Sequence, residues 1–188
     1  MNRLLLPLAL AAALLEAAPA AYDLALVPNG SFELDANRDG SPDGWTGSAF
    51  NSPGSVAWDR AVARSGAASV RAADSKGDPA DTSWPGHSCR WVLNRTFACR
   101  PGEVFTLRGW VKAELTEGTA SLVVAWFAGS KWLAEKGPQA VTGRTDWREL
   151  TARLETPAGA DTARVYLMLG RAVGQAWFDD VEVYRGER

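Results

Sequence analysis

From about residue 21 onward the chain is a succession of short stretches of alternating apolar and polar residues, cut at close intervals by Gly, Pro, Asn and Asp. No helical repeat of useful length interrupts them. This restricts the fold to all-β, because side chains alternate sides along a strand with period two, whereas a helix needs apolar residues at three- and four-residue spacing. The candidate strands are 24–27, 55–58, 68–72, 90–94, 104–113, 120–127, 148–154, 164–169 and 176–183. Turn signals separate them at Pro28-Asn29-Gly30, Ser65-Gly66, Arg100-Pro101-Gly102, Glu117-Gly118, Gly137-Pro138 and Pro157-Ala158-Gly159. So many short strands predict a two-sheet antiparallel β-sandwich, most simply a jelly roll.

Alternation also assigns faces. In 104–113 the core set is Phe105, Leu107, Gly109 and Val111, which turns Arg108, Trp110 and Lys112 outward. In 164–169, Val165, Leu167 and Leu169 point inward, and Arg164, Tyr166 and Met168 outward. Both sets of 120–127 are apolar, so either Trp126 or Phe127 could face out. Nine Trp against three Tyr is a high proportion, and a fully buried indole must find a partner for its N–H. Some of these rings are therefore expected at the surface. Trp84 lies at the centre of a long polar stretch, 74–88, where it either plugs an end of the sandwich or is displayed to a ligand.

The N-terminus reads as a secretory leader over residues 1–20: Met1-Asn2-Arg3, an apolar run from Leu4 to Leu15, then Ala18-Pro19-Ala20. The run is shorter than the roughly 20 residues that span a bilayer. The expectation is an exported protein, extracellular or periplasmic and not inserted in a membrane, with a single domain over residues 21–188, present as a monomer. Its two cysteines, Cys89 and Cys99, would then meet an oxidising compartment and form a bridge, the alternative being two buried thiols.

Charge and motifs exclude several functions. The net charge is −2 with basic residues scattered among acidic ones, which offers nucleic acid no footprint. A single His, His87, rules out a multi-His zinc site within the chain, and the common hydrolase, dinucleotide, phosphate-loop and C-x-x-C motifs are missing. The segment Asn29 to Trp45 crowds carboxylates and Asn onto Gly-kinked backbone, the oxygen-rich setting calcium requires. Within it Asp35, Asn37, Asp39, Ser41 and Asp43 stand at positions 1, 3, 5, 7 and 9 of a D-x-N-x-D-G loop, although the twelfth position is Thr46 rather than Glu. The plainer reading is a solvated turn.

The segments N-G-S-F-E (29–33), P-D-G-W (42–45), S-G-A-A-S-V-R (65–71), P-G-E-V-F-T-L-R-G-W-V-K-A (101–113) and W-F-D-D-V-E-V (177–183) occur in that order. Together they resemble the carbohydrate-binding modules of the family 4, 9 and 22 type, with a galactose-binding-domain-like jelly roll. The resemblance implies a β-sandwich that holds a structural Ca²⁺ and binds a polysaccharide or oligosaccharide across one sheet without catalysis. Carried over by position, it makes Glu33 and Asp180 metal ligands. It also places the strands of Arg108, Trp110 and Tyr166 in one sheet. On the outward faces that alternation assigns, Trp110 and Tyr166 would form a sugar platform, Arg108 would supply donors, and Trp84, Trp132 and Trp126 would complete the groove, the alternative being that loops cover this face and make Trp110 a core residue. The competing readings are an adhesion module that binds protein and a small glycan-active hydrolase or lyase.

Overall fold

The computed structural model describes residues 26–50, 53–76 and 88–186. The leader-like residues, Trp84 and His87 lie outside them. The described residues form nine strands and no helix: β1 Trp45–Phe50, β2 Ser55–Asp59, β3 Ser69–Asp74, β4 Ser88–Leu93, β5 Phe97–Ala98, β6 Val104–Ala128, β7 Lys131–Lys136, β8 Arg144–Glu155 and β9 Thr162–Arg185. All pairings are antiparallel.

Two expected pairs of strands are fused. Segments 104–113 and 120–127 are one strand, β6, and segments 164–169 and 176–183 are one strand, β9. The two long strands pair with each other from Phe105↔Arg185 to Phe127↔Thr162, and each passes from one layer of the sandwich to the other. The first sheet runs β2-β3-β9-β6-β8, using residues 174–185 of β9 and 104–115 of β6. The second runs β1-β4-β9-β6-β7, using residues 162–170 of β9 and 119–128 of β6, with β5 also on β9.

At the crossing the register shifts on both sides of Glu117. Gly118 (φ 77°) and Gly174 (φ 129°) sit there in conformations that L side chains avoid. A Cβ on Gly174 would stand 2.1 Å from the carbonyl oxygen of Glu114, so the two backbones cross too closely for any side chain.

Between the layers lies one apolar core, in which the inward sets expected for β6 and β9 are fully enclosed: Phe105, Leu107 and Val111 with Val165, Leu167 and Leu169. The layers touch at Gly109, where an added Cβ would lie 2.4 Å from Leu122 Cδ2. Trp126 is part of this core, 0% exposed, on the face of β6 that carries Leu122 and Val124. The expectation that it joins a ligand groove is corrected, and Phe127 takes the outward position. Candidate strand 24–27 is corrected as well: Leu26 and Val27 are buried in an irregular segment.

The predicted Cys89–Cys99 bridge does not form. Cys89 pairs with Leu169 on β9, whereas the Cys99 N–H donates to the carbonyl of Asp161. Eight strand residues at ~3.3 Å each hold the two sites roughly 26 Å apart, against the less than ~7 Å between Cα atoms that a disulfide needs. Both thiols are buried, and the Cys89 S–H donates to the carbonyl of Ala73 at 3.2 Å. Burial, with Glu103 and Asp161 nearby, pushes the Cys99 thiol up to about 11.

Candidate functional site

The crossing of β6 and β9 separates the residues expected to form one sugar platform. Arg108 and Trp110 lie on the outer face of the first sheet, where their cross-strand neighbours are Glu182 and Asp179. Tyr166 lies on the second sheet, between Val92 and Val123. The expectation of a shared sheet is therefore corrected.

On the first sheet the outward residues are already engaged with one another. The Arg64 guanidinium stacks over the Trp110 ring, 4.1 Å from its centroid, and is held there by Asp180 at 2.9 Å. Arg108 Nε lies 3.1 Å from Glu149 and 3.2 Å from Glu182, and Lys112 Nζ lies 2.9 Å from Asp146. Arg71 donates to Gln175, which in turn donates to Glu114. A sugar docking here would have to displace these bonds before making its own.

The outer face of the second sheet carries a depression. Alternation in β4 buries Cys89, Trp91 and Leu93 and turns Arg90 and Val92 outward, while alternation in β9 turns Arg164, Tyr166 and Met168 outward. Arg164 and Tyr166 are two residues apart on one face, ~7 Å along the strand. The Arg90 guanidinium carbon is 5.7 Å from the Tyr166 ring centroid. These three line a depression of about 320 Å³ together with Thr46, Ser48 and Asn94, with no Asp or Glu among the described residues of the lining. Arg164 Nε is buried without a hydrogen-bond partner. Trp132 on β7, 41% exposed and opposite Phe127, adds an aromatic ring at the edge of the same sheet. Reading the sequence face by face placed Arg164 and Tyr166 outward but missed Arg90, although the alternation Cys89, Trp91, Leu93 carried that signal.

The expected metal ligands accept hydrogen bonds from loop 64–68, Glu33 from its backbone and Asp180 from its side chains. Glu33 accepts N–H bonds from Ala67 and Ala68 at 3.0–3.1 Å. Asp180 accepts from Ser65 Oγ and Arg64, both at 2.9 Å. Asp179, the neighbour passed over in the sequence, is fully buried and accepts the N–H groups of Arg64, Ser65 and Asp180. Burial raises its carboxyl to about 6, against the lowering effect of those donors. Glu33, Asp179 and Asp180 together clamp loop 64–68. In the Asp-rich segment, Asp35 accepts from the N–H groups of Asp39 and Gly40, Asn37 from Asp39, Asp39 from Ser41, and Asp43 from Ala36. These are the bonds of a turn, and no group of three His, Cys, Asp or Glu side chains among the described residues is placed to hold a metal ion. The carboxylates expected at calcium thus carry the hydrogen bonds of loop 64–68 and of the turn at 35–43.

No family model matches the chain. Among curated proteins, tRNA nuclease WapA of Bacillus subtilis (strain 168) is 28% identical over 101 residues, which is 50% of this chain and 4% of that protein. Among solved structures, the enzymatically active domain of tailspike protein 4 of bacteriophage CBA120 superposes with a TM-score of 0.59 at 16% identity, covering 87% of this chain and 22% of the tailspike chain. A family 4 carbohydrate-binding module superposes with a TM-score of 0.58 at 20% identity, covering 85% of this chain and 99% of the module. Family 16 and family 22 carbohydrate-binding modules share the fold as well. At these identities the likeness establishes the fold, an all-β jelly roll of the carbohydrate-binding-module type.

Proposed function

We infer that this chain is an exported, non-catalytic carbohydrate-binding module that holds a polysaccharide on the outer face of its second sheet. The observation that carries the reading is Tyr166, set between Arg90 and Arg164 in a depression edged by Thr46, Ser48 and Asn94. A pyranose ring presents C–H groups on one face and hydroxyls at its rim. It therefore suits an aromatic face, whose π cloud is negative, surrounded by fixed polar groups. Trp132, at the β7 edge of the same sheet, supplies a second ring, so an extended chain rather than a single sugar is the ligand that fits. The jelly-roll likeness to modules that bind carbohydrate supports the same reading. Glycoside cleavage requires a pair of carboxyl groups about 5 to 9.5 Å apart, and none is among the described residues that line the depression.

The test is retention of the full chain in native gels containing soluble β-glucans, xylan, mannan or pectin, with Tyr166→Ala as the variant. Retention on at least one polysaccharide, lost in Tyr166→Ala without a change in melting temperature, is the expected result. Retention that survives Tyr166→Ala, or release of sugar from the polysaccharide, would overturn the assignment.

A further inference from the structure

We propose that Phe127 and Trp132 build a second sugar subsite at the β7 edge of this sheet, so that one linear glycan of at least about four pyranose residues is held both there and at Tyr166. This deepens the function proposed above and rests on it. The subsite arises from one irregularity in the ladder. Trp126 on β6 faces Ala134 on β7, but the next residue, Phe127, faces Trp132, so β7 carries one residue more than β6 at this point. In regular pairing Phe127 would face Leu133, and Trp132 would share the inward side of Trp126 and Ala134. With the bulge, Leu133 packs against the core beside Ala134, and Trp132 turns outward opposite Phe127, 41% exposed. A bulge re-aims a side chain where regular alternation would hide it, and what it displays here is a large indole.

The second subsite is placed to take the same chain as the first. Tyr166 pairs with Val123, four residues before Phe127 on β6, and β7 lies two strands away from β9. Four residues at ~3.3 Å and two strand spacings at ~4.8 Å put the two ring positions about 16 Å apart on a diagonal of the sheet, a distance that a pyranose chain covers in roughly three residues. Midway along it the outward residue of β6 is Ala125, which the register sets between Arg164 of β9 and Glu135 of β7. The strand beneath the middle of the chain thus presents only a methyl group, with polar side chains on either hand. Thr162, opposite Phe127 on β9 and half-buried, brings a hydroxyl to the second subsite. Each subsite then offers what a pyranose needs, an aromatic face for its C–H groups and polar groups for its rim.

The experiment titrates the full chain with linear cello-, xylo-, manno- and galacturono-oligosaccharides, from disaccharide to hexasaccharide. For at least one series the tetrasaccharide and longer members should bind at least about tenfold tighter than the disaccharide. Trp132→Ala should weaken the hexasaccharide about tenfold while melting as the parent does and leaving the disaccharide, held at Tyr166, unaffected; Trp132→Phe should restore part of the loss. Tyr166→Ala should weaken both lengths. A disaccharide too weak to measure beside a hexasaccharide that binds meets the length criterion, and the Trp132→Ala loss then decides. Equal affinity across lengths, retention on a polysaccharide whose hexasaccharide does not bind, or a Trp132→Ala chain that binds the hexasaccharide as the parent does would overturn the second subsite, assign the bulge to protecting the sheet edge, and leave the module reading intact. Disaccharide binding lost with Trp132 would overturn it too, by showing one site instead of two. Binding of no oligosaccharide and no polysaccharide would sink both.

Discussion

Replacing Trp110 by Ala separates the two outer faces more cleanly than any other single change. The side chain is half-buried on the first sheet, and one of its faces is covered by the Arg64 guanidinium at 4.1 Å. Covering roughly 100 Å² of indole, about half of what Trp buries in a core, is worth about 2.5 kcal/mol at 25 cal/mol per Å². The stacked cation adds about 1 kcal/mol. Some of this returns as neighbours relax, so we expect Trp110→Ala to destabilise the domain by about 3 kcal/mol. For a chain of this length that lowers the melting temperature by about 6 to 12 °C. The assay is thermal melting followed by circular dichroism, run beside polysaccharide retention at a temperature where the variant is folded. Retention should match the parent, because Tyr166 and Arg90 lie on the opposite sheet. A variant that melts with the parent but no longer binds would refute the argument and return the ligand to the first sheet.

Three further outcomes are expected. The Asp179 carboxyl is raised from 3.8 to about 6, so between those values the folded chain keeps a proton the unfolded chain has released. Its contribution is fully present below about pH 4 and is lost as pH rises through 6, up to roughly 3 kcal/mol in all. Urea melts from pH 4.5 to 6.5 should show this fall in the parent and not in Asp179→Asn; a flat parent profile would count against it. Protein made through an oxidising compartment should expose both cysteines to a thiol reagent once denatured without reductant, and neither before, since both are buried; a denatured chain with no reactive thiol would show that a bridge had formed. A calcium chelator should leave the melting temperature unchanged to within about 1 °C, because a cation bound only to the folded state would shift it by several degrees.

The sequence showed its architecture where strands are long and buried on one face. Period-two alternation at 104–113 and 164–169 identified the core residues correctly, because burial on one side leaves a legible code. It did not reveal β1, β5 and β7. β1 is W-T-G-S-A-F, largely small residues at a sheet edge; β5 has two residues; and β7, K-W-L-A-E-K, has the composition of a helix and is held by its partner strand. Strand continuity was equally hidden: Glu117-Gly118 reads as a turn, yet β6 passes through it with its hydrogen bonds to β9 resuming on the far side. The resemblance put Trp110 and Tyr166 in the same sheet, and it is this hidden crossing that separates them. Trp126 was undecidable because 120–127 is apolar on both faces, and only the packing across the layers resolves it. The carboxylates were not legible for another reason, since an acid that accepts backbone N–H groups and an acid that ligates a cation have the same local sequence.

Two strands belonging to both layers have a consequence for how such a chain tolerates insertion and deletion. In a sandwich whose strands each stay in one sheet, a one-residue slip turns over the side chains of that sheet alone. Here β6 and β9 form one ladder from Phe105↔Arg185 to Phe127↔Thr162. A slip of β9 along the whole ladder would bring Arg164 and Tyr166 of one layer and Glu182 of the other into the core together and expel Val165, Leu167, Val181 and Val183. An added or missing residue within either half of the ladder is thus severe, whereas at residues 116–118 or 171–173, where the register already shifts or the pairing is interrupted, the lengths of the two halves can change without altering either face. A scan of single-residue insertions along β6 and β9 should recover folded protein where the register already shifts, at the crossing and beside the shift between Arg108 and Trp110, and not within the regular stretches of the ladder.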